Sequence, residues 1–213
     1  MKSYYHKENK QKEVTIMQMK DRTKIMFAEA LEEMLQTMPL EKVRVAKLCE
    51  RCGTTTPTFY YYFHDKYELV AWMFLQDFSF AVGDKPPEYS TDVLNTVSRQ
   101  LEKRRNFYQK AYTDQSQNSI SEYTQGFNLQ IAADAVRHHT GEDLSPEQLF
   151  AVKYHVYGVM GMFGEWLYSD TMTIEELNTF CFERTPDFLK DAFATYPYST
   201  DNILQRTGKK TKK

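Results

Sequence analysis

The sequence predicts an all-α protein: an N-terminal three-helix head built on a helix-turn-helix, followed by a larger C-terminal helical bundle. Glycine and proline together supply only 15 of 213 residues, too few turn formers for a sandwich or a barrel. Apolar residues recur at spacings of three and four along most of the chain, which is the period of a helix with one buried face. The stretch from Val43 to Leu69 then reads as a short helix, a glycine turn, a second short helix and the start of a third, the grammar of a helix-turn-helix.

Taken in order, residues 1–12 carry no apolar period and are expected to form a flexible arm. A long helix is expected from about Glu13, with Ile16, Met19, Met26, Phe27, Ala30, Leu31, Met34 and Leu35 on one side, stopped by Pro39. In the next helix Val45, Leu48, Cys49 and Cys52 form the buried stripe, and Gly53 ends it, because glycine reaches the left-handed backbone without a Cβ clash. Thr55 or Thr56 caps the following helix. Pro57 in its first turn disfavours helical angles in the residue before it, which points to Thr56. On that helix Phe59, Tyr62 and Phe63 share one side, while Thr56, Pro57, Tyr60 and Tyr61 share the other. Threonines and tyrosines on an open face are poor core material but suit a nucleic-acid groove, where hydroxyls reach phosphates and base edges. Asp65 and Glu68 stand at capping-box spacing, so the next helix starts at Lys66 and runs to Val82, with Gly83 and Pro86-Pro87 ending it.

Beyond Pro87 helices are expected over about Thr91–Lys103, Arg105–Thr113, Ser119–His139, Pro146–Tyr168 and Thr173–Tyr196. The helix from Pro146 contains Gly158, Gly161 and Gly164. Each costs about 1 kcal/mol against alanine inside a helix, so close approach of another helix is expected there. That helix belongs either to this chain or to a second copy. The boundaries that follow are 1–12 arm, 13–64 head, 65–196 body and 197–213 flexible basic tail.

The glycine turn, the run Thr55-Thr56-Pro57-Thr58-Phe59-Tyr60, the pair Tyr62-Phe63 and the step from Lys66 to Leu69 resemble the DNA-binding head of the TetR family of bacterial regulators, over roughly Thr23 to Trp72. The resemblance implies a homodimer on a double-stranded, palindromic DNA operator, and a ligand-responsive repressor. Tyr60 and Lys66 would contact the DNA backbone, and Thr55, Thr56, Pro57, Thr58 and Tyr61 would face the major groove. His64 joins this candidate set. Arg44 stands where the family usually has a Ser or Thr cap, and becomes a candidate phosphate contact. The body would bind an unknown small-molecule effector. Phe107, Tyr112, Tyr123, Phe127, Tyr154, Met162 and Trp166 are its candidate lining, though the same side chains would equally fill a solid core. The last two helices would make the dimer interface through Tyr157, Gly158, Gly161, Gly164, Phe180 and Phe188. An adaptor acting through a protein partner, with no effector, is the alternative.

Charge agrees in sign. Residues 1–70 carry 12 Lys and Arg against 10 Asp and Glu, while residues 71–205 carry 10 against 19, so DNA is drawn to one end and repelled by the other. No apolar run is long enough for a membrane span and the polar start is not a signal peptide, so a cytoplasmic protein without membrane association is expected. Cys49 and Cys52 spell a redox or zinc half-site but have no partner pair at ligand spacing, and His138, His139 and His155 fall on different helix faces, so no metal and no cofactor is expected. No phosphate loop, nucleophile elbow or zinc-protease helix is present, and no enzyme is expected.

Overall fold

The computed structural model describes residues 22–113 and 119–204. The expected arm, the expected start of the first helix and the last residues of the expected tail lie outside that set. Among the described residues there are helices and no strands. The chain divides into two units, one ending at Leu69 and the other starting at Val70. The boundary expected after residue 64 therefore falls later, within a continuous helix.

Unit 1 holds α1 (22–35), a one-turn 3-10 helix (Leu40–Lys42), α2 (Val45–Arg51), α3 (Thr56–Tyr62) and the first residues of α4 (Lys66–Val82). α1 ends before the expected stop at Pro39: Thr37 N and Met38 N both bond to Met34 O, and Pro39 caps the 3-10 turn instead. The core is aromatic. Phe27 sits edge-on to Phe59 (ring centroids 5.2 Å) and to Phe63 (6.5 Å), and Leu31, Leu35, Leu40 and Leu48 close around them, fully buried. Edge-to-face pairs such as these add about 0.5–1.5 kcal/mol beyond the area they bury.

Unit 2 holds the rest of α4, then α5 (Thr91–Glu102), α6 (Arg105–Tyr112), α7 (Ile120–Thr140), α8 (Pro146–Tyr168), α9 (Ile174–Glu183), α10 (Asp187–Thr195) and α11 (Thr200–Leu204). α7 packs against α8 and α10, and α5 packs against α9. Local chemistry sets these bounds. Gly141 takes φ +79° and closes α7, and Ser145 with Gln148 forms a reciprocal capping box that opens α8 at Pro146. Inside the unit Asp77 is a buried carboxylate satisfied by Tyr108 Oη (2.7 Å), Gln100 Nε2 (3.1 Å) and Arg104 Nη1 (3.4 Å), which joins α4 to α5 and α6. Burial first, and the carboxylate second, push the Tyr108 phenol well above its ordinary value, so it stays a donor.

Two expectations are corrected here. The single helix expected over Thr173–Tyr196 is two, because Pro186 has no amide hydrogen and its ring blocks a continuing helix; α9 ends at Glu183 and α10 restarts at Asp187. The expected tail is partly structured: Thr200–Leu204 is helical, Ile203 is buried, and Thr200 bonds through its amide and hydroxyl to Asp84.

Candidate functional site

α3 is positioned by its two ends and its buried face. Gly53 adopts φ +61°, and Thr55, not Thr56, is the cap, its Oγ1 accepting from Thr58 N at 3.4 Å. Thr56 is already helical, so Pro57 occupies the second helical position, where its missing amide hydrogen is again not needed. Phe59 and Phe63 anchor the helix in the core of unit 1. The opposite side is open: Tyr60 is 55% and Tyr61 68% exposed, and Thr55, Pro57 and His64 are exposed with them. Thr58 is half-buried with its hydroxyl 2.9 Å from that of Thr55. Thr56 is half-buried too, and its hydroxyl bonds the Cys49 thiol, whose pKa burial pushes up. Tyr62, expected inward, is half-buried with its ring edge-on to that of Tyr61.

Lys66 does something the sequence did not suggest. Its ammonium donates to Leu40 O (2.7 Å), Glu41 O (2.9 Å) and Val43 O (3.1 Å), and an ammonium has three donors. The lysine expected at a phosphate therefore ties the start of α4 to the 3-10 turn and the residue after it. The start of α4 is capped by Asp65 Oδ1, which accepts from Tyr67 N and Glu68 N, while Glu68 reaches back to His64 N, one residue before the cap.

Arg44 begins α2 with no side-chain cap, as its residue type implied, and is exposed. Lys42, Lys47 and Arg51 stand around it at one shallow depression; Lys47 pairs with Glu50 at 2.7 Å and Arg51 with Glu33 at 3.8 Å. Lys42 and Lys47 were missed in the sequence, although four basic residues within ten positions were the available signal. Cys52 donates to Met26 O and burial raises its pKa, so both thiols of the Cys49 and Cys52 pair are held protonated. Among the described residues no group of His, Cys, Asp and Glu is arranged to hold a metal ion.

Unit 2 contains a cavity of about 170 Å³ bounded by α4, α5, α6, α7, α8, α9 and α10. Its wall is mostly apolar, with Phe74, Phe78, Val97, Ile131, Val156 and Phe163 prominent. Of the seven residues expected to line it, only Tyr112 does. Phe107, Phe127 and Trp166 are buried core, Phe127 standing behind the wall against Phe74 and Phe78. Met162 and Tyr123 are half-buried away from the cavity, and Tyr154 is 86% exposed. α5 and α8 are the largest contributors to the lining, with five residues each, and the faces they turn inward could not be chosen before the packing was known.

Most of the expected interface residues are open among the described residues. A Cβ built on Gly158, Gly161 or Gly164 meets nothing within 4 Å, so among the described residues no neighbour requires those glycines. Phe150, Tyr154 and Tyr157 are exposed on the same helix, and Phe180 on α9 is exposed with Arg184 stacked 3.6 Å over its ring. Phe188, on α10, is half-buried.

A cored three-helix head that presents a two-turn helix of threonines and tyrosines to solvent and carries a cluster of basic side chains on and just before α2 is that of a helix-turn-helix DNA-binding protein. Residues 28–73 match the family of bacterial regulatory proteins, tetR family, so the head is a DNA-binding domain of the tetR type. It is 28% identical over 91 residues to the HTH-type dhaKLM operon transcriptional activator DhaS of Lactococcus lactis subsp. lactis (strain IL1403), an alignment covering 42% of this chain and 49% of that one. The chain thus spans about half the length of that curated relative. A solved structure, the dihydroxyacetone kinase operon activator DhaS, superposes with a TM-score of 0.50 at 21% identity over 76% of this chain and 92% of that one, a likeness of fold. Among the described residues no helix is long and apolar enough to cross a membrane.

Proposed function

We propose that this regulator acts as a homodimer on a palindromic operator and that a small molecule held in unit 2 controls its affinity for DNA. The observation that carries the DNA side is the exposure of Tyr60 and Tyr61 on a helix whose other face is locked by Phe59 and Phe63: the reading face is held in place and turned to solvent. Tyr60 and Arg44 serve the phosphate backbone. Thr55, Pro57, Thr58 and Tyr61 face the major groove, His64 flanks them, and Thr56 acts more through Cys49 than through a base. Two heads would occupy half-sites about one helical turn, ~34 Å, or a multiple apart.

Dimerisation is supported by the unfilled glycine face of α8 flanked by Phe150, Tyr154 and Tyr157. Glycines whose cost is not offset inside the chain fit a helix that meets its own copy across a two-fold axis. The cavity favours a sensor over an adaptor that works only through a protein partner. Repression is the simplest outcome of a dimer sitting on an operator, while the matched Lactococcus lactis protein carries the name of an activator, so the sign of control is read from a promoter fusion. The protein acts where DNA is, in the cytoplasm, with no catalytic role and no cofactor.

The decisive experiment is anisotropy binding to DNA from the flanking promoter region, with salt titration. Tyr60→Phe is expected to weaken binding to every sequence by a similar factor, whereas Tyr61→Ala changes which half-site is preferred. Wild-type affinity and preference in both variants would remove α3 from the groove.

A further inference from the structure

The wall of the cavity in unit 2 has an unusual polarity once its protons are accounted for. Thr185 Oγ1 donates its only proton to Cys181 O (3.0 Å). The 2.9 Å contact between Tyr89 Oη and Thr185 Oγ1 must therefore carry the proton of Tyr89. The same holds on the other side: Thr124 Oγ1 donates to Ser121 O (3.1 Å), so the 3.0 Å contact with Tyr112 Oη uses the phenol proton of Tyr112. Burial keeps both phenols protonated, Tyr112 being pushed up to about 12. Ser98 Oγ gives its proton to Asn178 Oδ1 (3.1 Å). The amide nitrogen of Asn128 donates to Thr124 O (2.8 Å) and lies 3.5 Å from Met160 Sδ, so both Nδ2 protons have partners and Oδ1 keeps its lone pairs.

The lining therefore offers mainly lone pairs; the donors left in it are the weak Cys181 thiol and the second Nδ2 proton of Asn178, whose first goes to Asn95 Oδ1 (2.8 Å). Tyr89, Tyr112 and Asn128 each contribute an oxygen that accepts, set in walls of Phe, Val, Leu and Ile. Among the described residues no lysine or arginine lines the cavity, the one carboxylate there, Glu88, is exposed, and burial holds the imidazole of His155 toward its neutral form. A ligand carboxylate would enter with no counter-charge, at a desolvation cost that such walls do not offset. The volume, about 170 Å³, is near that of an engineered apolar cavity of about 150 Å³ that takes benzene.

We propose that this cavity binds a compact, uncharged, mostly apolar molecule that donates a hydrogen bond, with a phenol or a small alcohol as the chemical class, and rejects carboxylates and molecules that only accept. Its regulatory meaning rests on reading unit 2 as the sensing domain; the chemistry of the ligand rests on the wall alone.

The test is calorimetric titration of the full chain with phenol, toluene, benzonitrile, benzoate and benzylammonium, probes of similar size that differ in one group. Phenol is expected to bind at least about fivefold tighter than toluene or benzonitrile, the worth of one net hydrogen bond, although toluene is the more readily driven from water. The charged probes are expected to bind weakest. In Tyr112→Phe and in Asn128→Leu, each close to isosteric, the preference for phenol over toluene should shrink while toluene affinity holds. The proposal is overturned if toluene or benzonitrile equals phenol, if a charged probe binds best, if none of the five binds, or if both variants keep the full preference. Phenol binding that leaves an operator complex intact would support the ligand chemistry and remove the sensing role. Operator binding with no probe bound would remove the ligand chemistry and leave the DNA-binding reading standing.

Discussion

Replacing Lys66 with methionine separates two roles that look alike in the sequence. The substitution keeps the apolar stem and deletes the ammonium that holds Leu40 O, Glu41 O and Val43 O. A hydrogen bond to a charged group contributes about 1.5–3 kcal/mol. The bond to Glu41 O is exposed and water replaces it, whereas those to Leu40 O and Val43 O are part-buried. Discounting those two for partial exposure leaves a loss of about 2–4 kcal/mol for the head. For a domain of that size this lowers the melting temperature by at least about 8 °C. Removing a side chain that neutralises one phosphate, by contrast, changes the slope of log affinity against log salt by about 0.9. Differential scanning calorimetry and operator titrations at several salt concentrations, both on the full chain, therefore give opposite signatures. Lys66→Met should melt early and keep the salt slope, and Arg44→Ala should keep its melting temperature and lose about one unit of slope. A Lys66→Met protein with unchanged melting and a reduced slope would show that the ammonium leaves its three carbonyls for DNA, and would refute the reasoning.

Other substitutions probe the remaining features. Gly161→Leu faces open space in the subunit and replaces glycine in a helix, so the subunit should keep its helicity and gain up to about 1 kcal/mol while sedimentation shows a monomer with weakened operator binding; a normal dimer would take α8 out of the interface. Gly53→Ala forces an L side chain into φ +61° and should cost the head about 1–3 kcal/mol in urea titration, with α3 affected before unit 2. His155 has a folded pKa below its ordinary value of 6.5, with burial the main cause and Lys190 second. The unfolded chain binds the extra proton first, so His155 removes stability as pH falls through 6.5 toward its folded value and contributes nothing above that window. A His155→Gln protein should accordingly show a flatter stability profile below pH 6.5 than the parent when both are unfolded in urea.

How much of this was legible in the sequence depended on whether the deciding interaction was local. The start of α8 was legible from Pro146, beside which Ser145 and Gln148 cap each other, and the turn before α3 followed from Gly53. The break between α9 and α10 was equally local, since Pro186 alone makes it; an apolar period running through Phe180, Leu189 and Phe193 masked it. Lys66 was not legible, because the carbonyls that hold it come from residues 40, 41 and 43, more than twenty positions away. The cavity was the least legible part. Aromatic content in α6, α7 and α8 pointed to Phe107, Phe127 and Trp166, yet whether a phenylalanine fills a core or borders a void depends on the opposite wall, here Phe74 and Phe78 of α4. Between Thr55 and Thr56 as cap, the bias that proline places on its predecessor was outweighed by the hydrogen bond from Thr58 N.

The carboxyl-terminal stretch carries a practical consequence. Asp84 is held at φ +59° with its amide on Tyr198 O and its carboxylate on Thr200, and a Cβ on Gly83 would collide with Thr200 and Ser79. Tyr198 in turn borders the void and touches Phe78. Trimming the polypeptide at Pro197, a natural choice for anyone who takes the lysine-rich end for dispensable, would unlatch this strap and leave the chamber without a door.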